Sequence, residues 1–137
     1  MTLDRFTEAQ EKCWPRALAE IRGGRKDSHW MWFIFPQLRG LGHSSNTEFY
    51  GIADLDEARR FLAHPTLGPR LLDIAAAVLA HRDRRPESIL GPVDAMKLRS
   101  CATLFEVAGA GIFTDILDTF HDGTRCEVTL RMLARRD

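Results

Sequence analysis

Apolar residues recur along most of this chain at intervals of three and four, the repeat of one face of an α-helix. The first such stretch runs from about Thr2 to Arg22, with Leu3, Phe6, Cys13, Trp14, Ala17 and Ile21 on one stripe. Pro15 is expected to bend or divide it, and Gly23-Gly24 to end it. Residues 25–47 are less regular, with an aromatic block followed by loop signals at Gly40, Gly42 and Ser44-Ser45-Asn46. Asp54 and Glu57 have the spacing of a capping box and predict a short helix ending near His64. Pro65 suits the first turn of the next helix, whose stripe is Leu67, Leu71, Ile74, Ala75 and Val78, with Gly68-Pro69 delaying its start. Pro86 opens a short helical turn to Leu90, and Pro92 a longer helix to about Ala108. A further helix is expected from Gly111 to His121, stopped by Gly123. Thr124 and Glu127 resemble a second capping box before a final helix carrying Cys126, Leu130 and Leu133.

Strand alternation leading into a hairpin turn is missing, and only His29 to Phe35 could run extended. The expectation is an all-α fold: one domain over residues 1–137, a compact orthogonal bundle of about seven helices, some short. Neither an internal repeat nor a long linker divides the chain.

Two polar residues fall where this pattern puts apolar ones. With Phe6 at zero on the first helix, Gln10 lies at about 40°, inside the stripe. Its amide is therefore expected to point inward, either tying a loop carbonyl to the helix or lining a pocket. Leaving it unpaired would cost on the order of 1–3 kcal/mol. On the helix after Pro92, Val93, Cys101, Leu104 and Ala108 lie within about 40° of Lys97. Asp94 lies three residues before it, within reach. Arg99, Thr103 and Glu106 take the opposite face. An ammonium at the centre of an apolar stripe must be paired or deprotonated. It is read either as half of an Asp94–Lys97 pair that pins loops, or as a cleft-facing group that binds an anion or acts as acid, base or Schiff-base former.

Trp30, Trp32, Phe33 and Phe35 place four of the twelve aromatic residues within six positions. One short segment cannot bury all of them on a single face. They either plug the core or form a stacking wall for a planar ligand. Arg25 and Lys26, just before, could meet phosphate or remain solvated. His29 is equally an acid–base candidate or a helix cap.

Composition narrows the classes without choosing among them. The chain has 137 residues, 19 Lys+Arg and 19 Asp+Glu, so its formal net charge is zero. That balance is against a general nucleic-acid reader and against a polybasic membrane-surface protein. No apolar run approaches the roughly 18 residues of a membrane span, and residues 1–6 lack a secretion-signal layout. Cys13, Cys101 and Cys126 read as reduced core residues of a cytoplasmic protein. None has an evident activating base, which is against a thiol enzyme. His43, His64, His81 and His121 lack metal-ligand spacing, so neither a metal nor a cofactor is expected. Phosphate-binding glycine motifs and the nucleophile elbow of α/β-hydrolases are missing.

Several runs resemble the bacterial family known as domain of unknown function 1810. They include Asp4-Arg5-Phe6 with Ala9-Gln10, Gly24-Arg25-Lys26, Ser28-His29-Trp30-Met31-Trp32-Phe33 and Phe35-Pro36-Gln37-Leu38. Further matches are Gly40-Leu41-Gly42, Tyr50-Gly51-Ile52, Leu62-Ala63-His64-Pro65, Leu67-Gly68-Pro69-Arg70-Leu71, and Lys97-Leu98 with Ser100 and Thr103-Leu104-Phe105. The His-Trp-Met-Trp-Phe run is the most specific of these. The resemblance implies a small all-helical domain with no established activity. Cys101 and the segment Asn46-Thr47-Glu48-Phe49 depart from the family's pattern. The run from Asp4 to Gln10 also looks like the first motif helix of the NADAR family, which includes N-glycosidases. In that alignment Asp4 and Glu11 stand where that family has glutamate and lysine.

These residues together outline a site for a small nucleotide-like ligand. Trp30 and Trp32 would stack its ring, Arg25 and Lys26 would meet phosphate, and Gln10, Gln37 and Ser100 would read polar edges. Lys97, oriented by Asp94, would supply electrostatic or proton-transfer chemistry, with His29 as a further acid–base group. By the NADAR likeness the reaction would be hydrolysis of an N-glycosidic bond, with Asp94 as the nearest carboxylate. The alternative is a non-catalytic helical interaction module. The oligomeric state is left open.

Overall fold

The structure is a computed structural model and describes residues 2–136. In chain order the helices are α1 (Asp4–Arg22), α2 (Met31–Ile34), α3 (Ser45–Phe49), α4 (Leu55–Ala63), α5 (Leu67–Leu79), α6 (Pro86–Leu90), α7 (Pro92–Val107), α8 (Ile112–Phe120) and α9 (Glu127–Arg136). The fold is all-helical among the described residues, with nine helices instead of about seven. The additional ones, α2 and α3, have four and five residues. Such single turns are too short to show a period, so their segments read as loop. Met31–Ile34 is a helical turn, which corrects the extended reading of His29 to Phe35. An isolated parallel bridge joins Leu38 to Ile52, outside any named strand.

α1 runs unbroken through Pro15. The proline sits on the exposed face, where the carbonyl it leaves without a donor meets water. Asp54 caps α4 as its spacing predicts, accepting from the Glu57 N–H at 2.8 Å. The second capping box does not form. Cys126 directly precedes α9 and its carbonyl accepts from Leu130 N, while Thr124 N donates to His121 in the preceding turn.

α7 is the central helix and packs against α4, α6, α8 and α9. Its buried residues include Leu98, Cys101, Ala102 and Phe105. A line of rings crosses the core from α1 to α8: Phe6 meets Phe61 edge-on at 5.1 Å, Phe61 meets Phe105 at 5.4 Å, and Phe105 meets Phe113 at 5.9 Å. All four are fully buried, and each such side chain contributes about 1.5–3 kcal/mol of burial. α5 packs on α1, α4 and α8. Its approach to α4 is close at Gly68, where a Cβ would overlap the Leu62 carbonyl oxygen. That contact, more than helix propensity, selects glycine in the first turn. Gly68→Ala is expected to destabilise the protein by about 1–3 kcal/mol, as overpacking does; a urea midpoint equal to wild type would refute the close-approach argument. Among the described residues no helix is long and apolar enough to cross a membrane.

Candidate functional site

The segment between α1 and α4 wraps against α1 on one side and α7 on the other. The carboxylate of Glu20 in α1 holds its first turn, accepting from Asp27 N, Ser28 N, Ser28 Oγ and Trp30 Nε1 at 2.6–3.0 Å. Burial alone would raise the Glu20 carboxyl, but the donors of Ser28, Asp27 and Trp30 outweigh it and hold the pKa at about 2. Trp30 is thereby drawn into the core at 1% exposure, which corrects its placement on a ligand wall. Gln10 is also core, at 2% exposure. Its amide donates to the Phe33 carbonyl at 2.8 Å and accepts from Arg70 at 3.4 Å, so it ties the aromatic segment to α1.

Lys26 does not face a phosphate-ready loop. Its side chain is 8% exposed, its Nζ lies 2.9 Å from Asp94 Oδ2, and it sits 5.0 Å from the Trp30 ring centroid. Asp94 is therefore committed first to Lys26, with Lys97 at 3.8 Å on its other oxygen. Both cations meet a carboxylate in the first turn of α7, where negative charge also suits the helix N-terminus. Arg25 is solvated, with its side chain 80% exposed and Asp27 at 3.6 Å. His29 is exposed and lines neither of the cavities described next, and Trp30 stands at the α2 cap position.

The apolar stripe drawn through Lys97 is displaced. Val93 and Met96 are 65% and 64% exposed, and the buried face of α7 centres near Leu98, about 100° from Lys97. The face opposite Lys97 is covered as well. Thr103 is fully buried and accepts from Cys126 N at 2.9 Å, and Glu106 is held by Thr114 and Arg125. Lys97 thus stands at the flank of the core, with its side chain 23% exposed.

At that flank two cavities meet. A narrow, nearly closed slot of about 10 Å³ is lined by Met31, Trp32, Phe35, Gln37, Asn46, Thr47, Tyr50, Gly51 and Lys97. A shallower groove of about 320 Å³ shares Gln37, Thr47 and Lys97 with it and runs on past Met96, Arg99, Ser100, Cys126 and Val128. Lys97 Nζ lies 5.3 Å from the Trp32 ring centroid, so the cation faces the indole. Gln37 is pinned by its backbone, whose carbonyl accepts from Ile52 N at 2.9 Å in the Leu38–Ile52 bridge. The structure therefore brings Trp32, Gln37, Lys97 and Ser100 to one site. It leaves Gln10, Trp30, Lys26, Arg25 and His29 outside the slot and groove, with Asp94 behind Lys97 as its partner.

Sequence reasoning missed Asn46, Thr47 and Tyr50, because the α3 turn that presents them has no periodic signal. It also missed the pair beneath them. Arg5 Nη2 donates to Glu57 Oε1 at 2.7 Å and to Gly51 O at 3.0 Å, with both side chains buried. Cys126 is buried and free, as the core reading of the cysteines has it, but it also borders the groove. It is 9% exposed on the groove floor, and Ser100 Oγ donates to its sulfur at 3.5 Å. Among the described residues no three His, Cys, Asp or Glu side chains converge in a way that could hold a metal ion.

A family model described as "Protein of unknown function (DUF1810)" matches residues 1–133. Among solved structures, the crystal structure of the conserved hypothetical protein Rv1873 from Mycobacterium tuberculosis is similar. It has a TM-score of 0.94 and 42% sequence identity, and the match covers 96% of each chain. No curated protein matches.

Proposed function

Because the chain belongs to the DUF1810 family of proteins of unknown function, whose description specifies no reaction, we propose from the site geometry that it binds a small, anionic, nucleotide-like ligand across the slot and groove. The carrying observation is the position of Lys97, over Trp32 and at the junction of two cavities whose lining residues include Lys97 and Arg99 but no carboxylate. Asp94 offsets its charge only partly, because Lys26 holds that carboxylate more closely. A planar ring packs on Trp32 at the slot mouth, with Gln37, Asn46 and Thr47 as partners for its polar edges. The anionic group lies in the groove beside Lys97 and Arg99. The slot, at about 10 Å³, is far smaller than the roughly 300–1,000 Å³ of ordinary small-molecule pockets, so the groove, at about 320 Å³, carries the body of the ligand.

Hydrolysis of an N-glycosidic bond is the finer reading, and the geometry favours it less than binding. Such a reaction needs a carboxylate or polarised water near the anomeric carbon. Asp94 is engaged by two lysines, which suits it to positioning Lys97 more than to attacking substrate. A cytoplasmic setting fits reduced cysteines and a nucleotide-like ligand. The exposed Val93, Met96 and Val128 beside the groove are the observation that favours a protein-interaction surface instead.

The test is a thermal-shift screen of nucleotides, ADP-ribose derivatives and nicotinamide compounds against wild type, Lys97→Ala and Trp32→Leu. A micromolar binder at millimolar concentration is expected to stabilise the wild type by about 4 kcal/mol, and both variants by much less. A screen without any stabilising compound, or equal shifts in Lys97→Ala, would overturn the proposal.

A further inference from the structure

We propose that Cys126 is a reactive thiol, and that the groove delivers small anionic disulfides to it for thiol–disulfide exchange. The sulfur lies where three elements meet. Its backbone N–H is fixed by Thr103 of α7, its residue directly precedes the first turn of α9, and it opens on the groove floor. A thiolate before a helix start is favoured by the N–H groups and dipole of that turn.

The polar groups around the sulfur suit its negative form. Thr129 is fully buried, yet its Oγ1 has no hydrogen-bond partner. A buried hydroxyl left in this way asks for an acceptor. The acceptor it faces is the Cys126 sulfur, to which the Thr129 hydroxyl and N–H would donate once the thiol is ionised. Arg99 Nε is likewise buried without a partner, and its charge acts on the same sulfur. Burial would push the Cys126 thiol up, but Thr129, Ser100 and Arg99 together outweigh it, and the group sits below its ordinary value. Cys13 gives the contrast: it is more exposed, but burial of its sulfur pushes that thiol up. Cys101 is sealed in the core and also raised.

The groove explains the preference for anionic reactants, since Lys97 and Arg99 line it and no carboxylate does. In the exchange, the Cys126 thiolate attacks one sulfur of the incoming disulfide. A new S–S bond forms, the old one breaks, and its electron pair leaves on the second sulfur as a thiolate, which takes a proton from water. Cys126 is oxidised by as much as the leaving sulfur is reduced.

The test follows reaction of the folded protein at neutral pH with dithiobis(nitrobenzoate), an anionic disulfide, and with dithiodipyridine, a neutral one. Peptide mass mapping assigns the labelled cysteine. Cys126 is expected to react at least about tenfold faster than Cys13, since each unit of thiol pKa changes the thiolate fraction about tenfold. Thr129→Val, nearly isosteric, and Ser100→Ala, on the half-exposed face of α7, are each expected to slow Cys126 several-fold and to move its pH–rate midpoint upward. Lys97→Ala is expected to slow the anionic reagent but not the neutral one. Faster labelling of Cys13, a Cys126 rate that merely tracks global unfolding in urea, or unchanged rates in both Thr129→Val and Ser100→Ala would each overturn the proposal.

Discussion

Glu57→Ala is expected to remove about 3–5 kcal/mol from the unfolding free energy, the cost of breaking a buried ion pair by deleting one partner. Glu57 is 0% exposed and accepts from Arg5 on both oxygens, at 2.7 and 3.4 Å, and from Ala53 N at 2.9 Å. Without it the Arg5 guanidinium, 6% exposed, keeps its bonds to the carbonyls of Thr2 and Gly51 but loses its counter-charge. The Ala53 N–H is stranded as well. Small domains are stable by only about 5–15 kcal/mol, so this single change takes a large share. Urea denaturation reads it as a fall in midpoint at constant slope. The double variant Arg5→Met/Glu57→Leu is expected to recover most of the loss, because apolar replacement of both partners removes the stranded charge. A loss below about 1 kcal/mol in the single variant would mean the pair is worth no more than a surface contact. The effect extends to the site, since Arg5 anchors the carbonyl of Gly51, which lines the slot.

Glu57 was legible in part. It lies four residues before Phe61, and so about 40° from it on α4, among the apolar positions. The capping-box spacing marks it as a cap partner, and the cap does form, but its carboxylate turns inward to a partner 52 residues away. Nothing local encodes that partner. The same holds for Glu20, about 40° from Phe6 on α1 and so as deep in the stripe as Gln10. The long helices and their order were readable because each has enough turns for the period to show. α2 and α3 are not, because each is a single turn without a period: α2 is set by its packing on α1, and α3 starts at a Ser44 cap that accepts from Thr47 N.

At the candidate site, misplaced polarity in the sequence marks the neighbourhood but not the geometry. Lys97 and Trp32 do meet, at 5.3 Å. Trp30 caps α2 and Trp32 lies inside it, so the two point in different directions, one to Glu20 and one to the slot. The stripe through Lys97 failed because α7 is covered on several sides, and a central helix has no single apolar face to read. Lys26 could not be distinguished from Arg25 beside it, since its burial depends on Asp94 arriving from α7.

Acid unfolding supplies the second large effect. The Glu20 carboxyl has its pKa lowered to about 2 from an ordinary 4.5, so the folded state favours the charged form. The unfolded chain then binds the proton more readily. The stabilisation is complete above the unfolded value and is lost as pH falls through 4.5 toward about 2. A shift of that size corresponds to about 3 kcal/mol, with little discount for solvent because the side chain is only 10% exposed. His121 is also lowered, by burial and by Arg99, and its loss begins higher, as pH falls below 6.5. The two contributions are separated by Glu20→Gln, which keeps the shape and the oxygen acceptor but removes the charge. At neutral pH this variant is expected to be less stable than wild type by about 3 kcal/mol, the value of the charge-assisted bonds. Near pH 2–3 the difference is expected to shrink toward zero, because the wild-type carboxyl is then being neutralised too. Urea unfolding followed by tryptophan fluorescence across this range measures it directly, since the indole of Trp30 donates to the group being titrated. A gap between variant and wild type that stays constant from neutral pH to pH 3 would show that the Glu20 charge does not hold the loop, and the account of how Trp30 is turned away from the slot would fall with it.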